Sequence, residues 1–499
     1  MSSAPRETAA TPDDAADVLS GDDVSRRVVR GGAIRFVGFG LVNLLGVVSA
    51  LILLRHLGVV DFGRYGTVAA LLAIVSTITD AGLTAVGSRE LAVLPPGPGR
   101  EHLLRQLVGL RIVVSFFAVL AAVAFAAAVG YDRTMVWGTL LGGLGVVLVN
   151  TQATTMMPLS IGLRVGTVTA FELLKQALTL AGVAVLAVAG ASLLPYFAVQ
   201  IVVGLIVLFL TPPLVGGVKA ILPRLDRSSA LPLLRSALPV AIAIAMNVLY
   251  LRLLVIMVSL ISNADETGLY VTAFRVFEML IGLPTLVLSV ALPLLAVAGA
   301  EDAERLRYGL QRTFEVAIVA SAALALVTVA CAPLVPVLFG ESFDGAVPML
   351  RIQAWALIPL FVGQVLGIAL VAMHRQRALA FGNAVAVVVV LAVGLAAIPS
   401  YGGEGAAAAG VAAETCLCLL LFALLHHAQP EVTPSVAFAW RPLLALAAGI
   451  VPLVVGLGSI VAGAAAVAAF ALVSLAVRAV PYEVLEALLH RNPGGRSRT

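Results

Sequence analysis

The chain is short of charge. Only 12% of its 499 residues are Asp, Glu, Lys or Arg, about half the ~25% of an ordinary soluble domain. So little charge cannot clothe a water-facing surface at this length, and a soluble globular fold is excluded. Cysteine is scarce too: Cys331, Cys416 and Cys418 are the only three, all within apolar runs. They exclude a disulfide framework, and a Cys-x-Cys with no histidine or carboxylate near it is a poor metal site. They are expected to be small buried hydrophobes. No alternation of apolar and polar residues runs through the chain, which argues against a β-barrel. Nor is there a Gly-rich phosphate loop, a His-Glu-x-x-His motif, or a pair of aspartates ahead of a basic loop. These absences leave no ATP-hydrolysing, zinc-protease or nucleotide-sugar-transferase site, and the expectation is a protein that is not an enzyme. No connection between apolar runs is long enough to fold by itself, which counts against a membrane glycosyltransferase or ligase.

What is present is apolar length. The chain is 61% hydrophobic with a mean hydropathy of +1.07, and windows of ~20 mostly apolar residues recur almost end to end. About fourteen such spans lie between residues 31 and 479, so an all-α, polytopic membrane protein is expected. Residues 1–25 are polar, with Asp13, Asp14, Asp17, Asp22 and Asp23, and are expected to form a disordered tail rather than a signal peptide. The net charge of +4 does not call for a nucleic-acid partner, because the arginines sit between spans. With the N-terminus inside, alternate connections collect Arg26, Arg27 and Arg30, then Arg89, Arg100 and Arg105, then Lys219, Arg224, Arg227 and Arg235, then Arg305, Arg307 and Arg312, then Arg375 and Arg377. The opposite connections carry only Arg55, Arg64 and Arg133. Basic residues stay on the cytoplasmic side, so both termini are expected there, in the plasma membrane.

Residues 57–92 combine a glycine-rich turn, a long apolar run and a charged exit. About 205 residues later the same grammar returns, with Gly268 and Tyr270 where the first copy has Gly63 and Tyr65. A second echo sets LRVGTVTAF (163–171) against HRQRALAF (374–381). The expected division is a tail (1–25), a six-helix lobe (26–215), a basic linker (216–235), a second six-helix lobe (236–428), an extra helix pair (429–480) and an interfacial tail (481–499). Six crossings per lobe is even, so the lobes enter the membrane alike and relate by a pseudo-two-fold along its normal.

The basic start followed by Gly31 and Gly38, LRHLGVVDFGRYG (54–66) and TDAGLTAVGSRE (79–90) together resemble the Wzx-type oligosaccharide flippases, or polysaccharide biosynthesis proteins, of the multidrug/oligosaccharidyl-lipid/polysaccharide exporter superfamily. The resemblance spreads over residues 28–425. It implies a V-shaped pair of six-helix lobes around a central cavity, with two extra C-terminal helices. The activity it implies is flipping an undecaprenyl-diphosphate-linked oligosaccharide to the outer membrane face by alternating access. The partners would be that lipid, the surrounding membrane lipids, and a polysaccharide polymerase and glycosyltransferases. No cofactor is expected beyond a coupling cation, H+ or Na+. A cation-coupled multidrug exporter of the same superfamily and a lipid II flippase are the alternatives.

Ionisable residues inside spans are costly, so each needs a reason. Arg252 and Arg275 fall ~15 and ~13 Å below the same loop on neighbouring spans, a matched depth at which a diphosphate is a natural counter-charge. Glu278, at i+3 from Arg275, offers an internal salt bridge as the structural alternative. Arg35 stands one turn inside the first span, either reaching to the interface or at the mouth of the cavity. Asn150, Gln152, Asn247 and Tyr250 could contact sugar hydroxyls in a hydrated cavity, with interhelical bonding as the alternative. Asp80, beside Gly82, and Glu414, with no sequence neighbour to pair it, are candidates for the coupling ion.

Overall fold

The structure is a computed structural model that describes residues 22–95, 97–162, 164–215, 217, 222–301, 303–373, 375–455 and 459–479. Residues 22–25, expected to be disordered, already belong to the first helix, and the tail expected over 481–499 lies outside the described residues. No strand occurs among the described residues, which form long helices. They are α1 (Asp22–Val93), α2 (Pro98–Ala128), α3 (Arg133–Thr155), α4 (Val165–Val188), α5 (Leu193–Leu210), α6 (Arg227–Ile261), α7 (Ala264–Glu301), α8 (Ala303–Cys331), α9 (Ala346–Ala354), α10 (Leu357–Ala372), α11 (Gln376–Ala428), α12 (Trp440–Val454) and α13 (Ser459–Ala476), with short turns of helix between them. Ten helices among the described residues are long and apolar enough to cross a membrane.

Two of the ten run for 57 and 53 residues. At 1.5 Å per residue each would be roughly 80 Å long, far beyond a ~30 Å hydrocarbon core. Each resolves this with one glycine. Gly58 in α1 takes φ 70° and Gly402 in α11 takes φ 51°, a left-handed region that costs any residue with a Cβ. The chain folds back there: Gly46 and Ala69, from the two arms of α1, line one cavity, and Val390 and Glu414, from the two arms of α11, line another. Counted as two crossings each, and with α7 and α13 added, these helices would make the fourteen expected. α6 starts at Arg227, inside the stretch expected to be linker, so that link is shorter than its composition suggests.

Hydrogen bonds gather the turns on one face. Arg55 donates to the Leu338 carbonyl, His56 bonds the Ala191 carbonyl at 2.9 Å, Arg64 pairs with Asp61 and Asp132, and Gly403 N–H donates to Glu266. On the opposite face Arg105 holds the linker through the Leu222 carbonyl and by accepting from Arg224 N–H. The second sequence echo is also geometric: Arg164 and Arg375 each precede a long helix and each donate a backbone N–H to the carbonyl five residues back.

Helices α1 to α5 pack among themselves, as do α6 to α11, while α12 and α13 pack on each other and on α8. The two groups meet where α1 lies against α6 and α7. In lipid the hydrophobic effect does not hold helices together, so close approach at small residues must. Here it is extreme. A Cβ on Gly63 would lie 2.7 Å from the backbone N of Gly268, and one on Gly66 would run into Val271. Gly268 is 205 positions after Gly63, and Val271 is 205 after Gly66. Equivalent residues touch one another only beside a two-fold axis. Thr67 and Thr272, also 205 apart and both buried, each donate to the carbonyl of their own glycine, at 2.9 and 2.8 Å. The echo therefore extends to Gly-x-Tyr-x-Thr, and it forms the contact between the halves.

The three cysteines are not buried as expected: Cys331 is exposed and Cys416 and Cys418 are half-buried. Apolar side chains on outward helix faces are ordinary in a membrane, where lipid replaces the core. Among the described residues no group of metal-ligating side chains forms.

Because the crossing leaves no room, Gly268→Leu is expected to cost about 1–3 kcal/mol of packing. A fall in the melting temperature of the detergent-solubilised protein measures it. Gly40→Leu, where an added Cβ meets nothing within 4 Å, should leave that temperature unchanged.

Candidate functional site

Just beyond the glycine crossing, between the two halves, lies a cavity of about 210 Å³. Both arms of α1 contribute to it, with Ser49 on the first and Phe62, Tyr65 and Gly66 on the second; α4 and α5 complete that wall, and α6 and α7 form the facing one. The facing wall carries the charge. Arg252 sits about nine residues from the end of α6 and Arg275 about eleven from the start of α7, so both lie ~15 Å into the bundle. Glu278 stands between them, bonded to Arg252 and to Arg275 at 2.8 Å. The Arg252 guanidinium also lies over the Phe274 ring, 5.4 Å from its centroid, a contact that favours a desolvated cation.

Two guanidinium groups and one carboxylate leave the cluster with one net positive charge. Their side chains remain 23%, 42% and 25% exposed, in the order Arg252, Arg275, Glu278. They are thus paired and still reachable from the cavity. An Arg fork bound to one carboxylate keeps N–H donors for another acceptor. The sequence posed salt bridge and cavity lining as alternatives for this trio; the structure combines them.

A profile for the polysaccharide biosynthesis protein family matches residues 28–298, more than half of the chain. The chain belongs to that family. No curated protein matches it. Its fold is that of solved transporters. A lipid II flippase MurJ in an inward closed conformation has a TM-score of 0.72 at 11% identity, covering 92% of this chain and 100% of its own. An inward-facing multidrug resistance MATE family transporter of the MOP superfamily scores 0.64 at 11% identity, over 80% of this chain and 98% of its own. A MOP superfamily transporter from Pyrococcus furiosus with a binding pocket of reverse polarity scores 0.58 at 12% identity, over 84% and 98%. At such identities the likeness is one of fold.

Within this polysaccharide biosynthesis protein, several polar residues expected at the cavity lie elsewhere. Asn150 is buried and bonds Ser76 and Thr79 across helices, so interhelical bonding accounts for it. Gln152 is 1% exposed inside α3, away from the cavity. Asn247 is exposed on α6 but not on the cavity side. Tyr250 donates to Glu414 at 2.9 Å, and both line a separate cavity of about 20 Å³ inside the second half, with Tyr270 and Gln353. Glu414 therefore has a partner the sequence could not name, because it comes from another helix. The side chain of Arg35 lies outside those described.

Asp80 is held by a residue the sequence reading passed over. Arg111 of α2 is fully buried and pairs with Asp80 at 2.7 Å. It donates further to Thr154, the Thr79 carbonyl and Thr84, and Thr84 donates to Asp80. Every nitrogen of the guanidinium is engaged, which is how a charge is tolerated at such depth. The available signal was the arginine itself, standing in an otherwise apolar run. The structure thus supports a bracing role for Asp80 within the first half. Ser49, Gln176, Thr179 and Gln200, none singled out from sequence, line the central cavity.

Arg111 is fully buried while its partner Asp80 is 41% exposed, so removing the Asp80 charge leaves a buried guanidinium uncompensated. Asp80→Asn is expected to destabilise the protein by about 3 kcal/mol, seen as a clear drop in melting temperature. Asp61→Asn, which alters a pair near 40% exposed, should stay within about 0.5 kcal/mol of the parent.

Proposed function

We propose that this protein moves an undecaprenyl-diphosphate-linked oligosaccharide from the cytoplasmic to the outer face of the plasma membrane, for synthesis of a surface polysaccharide. The observation that carries this reading is the Arg252–Glu278–Arg275 cluster, a net positive group facing a cavity between two halves at mid-depth. A diphosphate presents acceptor oxygens at the spacing a guanidinium fork accepts. Glu278 acts as the resident counter-ion, holding both arginines while the cavity is empty and yielding them when a diphosphate arrives. The lipid tail stays in the bilayer throughout. The halves rock about their shared seam, presenting the cavity to one side and then the other. In this reading both termini are cytoplasmic, the glycosyltransferases that build the unit and the polymerase that extends it are the working partners, and H+ or Na+ at Glu414 drives the cycle.

The lipid II flippase fold supports the choice of a lipid-linked diphosphate. A cation-coupled multidrug exporter is the second reading, favoured by the likeness to the MATE family transporter. Two arginines at the centre of the cavity weigh against it, since they repel the organic cations such a transporter would carry.

In a strain lacking the native gene, Arg252→Ala and Arg275→Ala are each expected to abolish surface glycan while the protein reaches the membrane at normal level. Glu278→Gln removes the resident counter-ion, so the purified variant should bind undecaprenyl diphosphate about tenfold more tightly and export more slowly. Normal export by both arginine variants would contradict the reading.

A further inference from the structure

The two walls of the central cavity differ in kind. Arg252, Arg275 and Glu278 make the wall formed by α6 and α7 ionic, whereas the polar groups of the opposite wall, Ser49, Gln176, Thr179 and Gln200, are all neutral. Gln176 and Thr179, with Val183, share one face of α4, at spacings of three and four residues, and Gln200 reaches the same space from α5. Thr179 bonds its own helix through the Lys175 carbonyl. Gln176 and Gln200 are half-buried and, among the described residues, neither side chain has a hydrogen-bond partner.

Gln106, Ser115 and Tyr196 of this half also hold a buried polar atom without a partner among the described residues, but none of them lines the central cavity. Asn150 is bonded across helices and Arg111 is bonded at every nitrogen. An amide inside a membrane-spanning helix costs free energy unless something satisfies it, and two such amides converge on one cavity. We propose that Gln176 and Gln200 form a hydrogen-bonding subsite for the hydroxyl and amide groups of the sugar ring attached to the diphosphate, an inference that rests on the lipid-linked substrate proposed above. Each amide offers one carbonyl acceptor and two N–H donors. Hydroxyl groups, which both donate and accept, match that pattern. A phosphate, which only accepts, could take the N–H donors but would leave the amide carbonyls unpaired. Phosphate therefore goes to the arginine wall and the sugar to the glutamine wall, with Phe62 and Tyr65 lining the same space. A site with amides placed for hydroxyl groups penalises a ligand that lacks them, because the amides are then left unpaired.

The test uses the full-length protein in lipid nanodiscs and two probes, undecaprenyl diphosphate and undecaprenyl-diphosphate-linked N-acetylglucosamine, with binding read by native mass spectrometry. The parent is expected to bind the sugar-bearing lipid about tenfold more tightly. The double variant Gln176→Ala/Gln200→Ala should bind both lipids equally, with its affinity for the bare diphosphate unchanged; that retained affinity shows it is folded. A double variant that keeps the parent's preference, or a parent that has none, overturns the subsite and leaves the diphosphate reading standing. A parent that binds neither probe overturns both.

Discussion

The two halves meet at the crossing of Gly63 and Gly268. Two backbones approach until no Cβ fits between them, and they do so at equivalent positions of a repeated stretch. In a bilayer there is no hydrophobic force to press helices together, so such a seam must rest on dispersion and fit. Its position follows from the repeat: only residues beside the axis can meet their own equivalents, and the glycines are the ones that permit the meeting. The cavity lies directly beyond this seam, and its two walls are the flanking helices of the two halves.

The buried arginines show two uses of one side chain. Arg111 is fully buried and engages every guanidinium nitrogen with Asp80, the Thr84 and Thr154 hydroxyls and the Thr79 carbonyl, which makes it a brace. Arg252 and Arg275 share a single carboxylate and remain open to the cavity. Burial with complete pairing gives rigidity; partial pairing beside a cavity gives a site whose counter-ion can be exchanged.

Much of the fold was legible in the sequence. Scarce charge and recurrent apolar length gave membrane-spanning helices, the Gly-Tyr echo gave the repeat, and counting residues from a loop placed Arg252 and Arg275 at one depth. Rotation about each helix axis was not legible, because hydropathy marks depth and says little about which face meets protein. For that reason the sequence leaves cavity lining and interhelical bonding open for Asn150, Gln152, Asn247 and Tyr250, none of which lines the central cavity, and does not mark out Gln176 and Gln200, which do. Pairings between distant segments were equally hidden. Arg111 and Asp80 are 31 residues apart, and Tyr250 and Glu414 are 164 apart; only packing brings them together. The family profile ends at residue 298, so beyond α7 the second half is read through its fold and its echo of the first.

In the proposed transport cycle the two halves, joined along a glycine seam, rock about the charged cavity between them. The most direct measurement is the distance between spin labels on Ala128→Cys and Asp265→Cys, exposed positions on the turn face of the two halves, in a protein with its native cysteines replaced. Adding an undecaprenyl-diphosphate-linked sugar to the protein in lipid nanodiscs is predicted to populate a second, longer distance, and Arg252→Ala to prevent this. A single distance, unchanged by the lipid, would contradict the account.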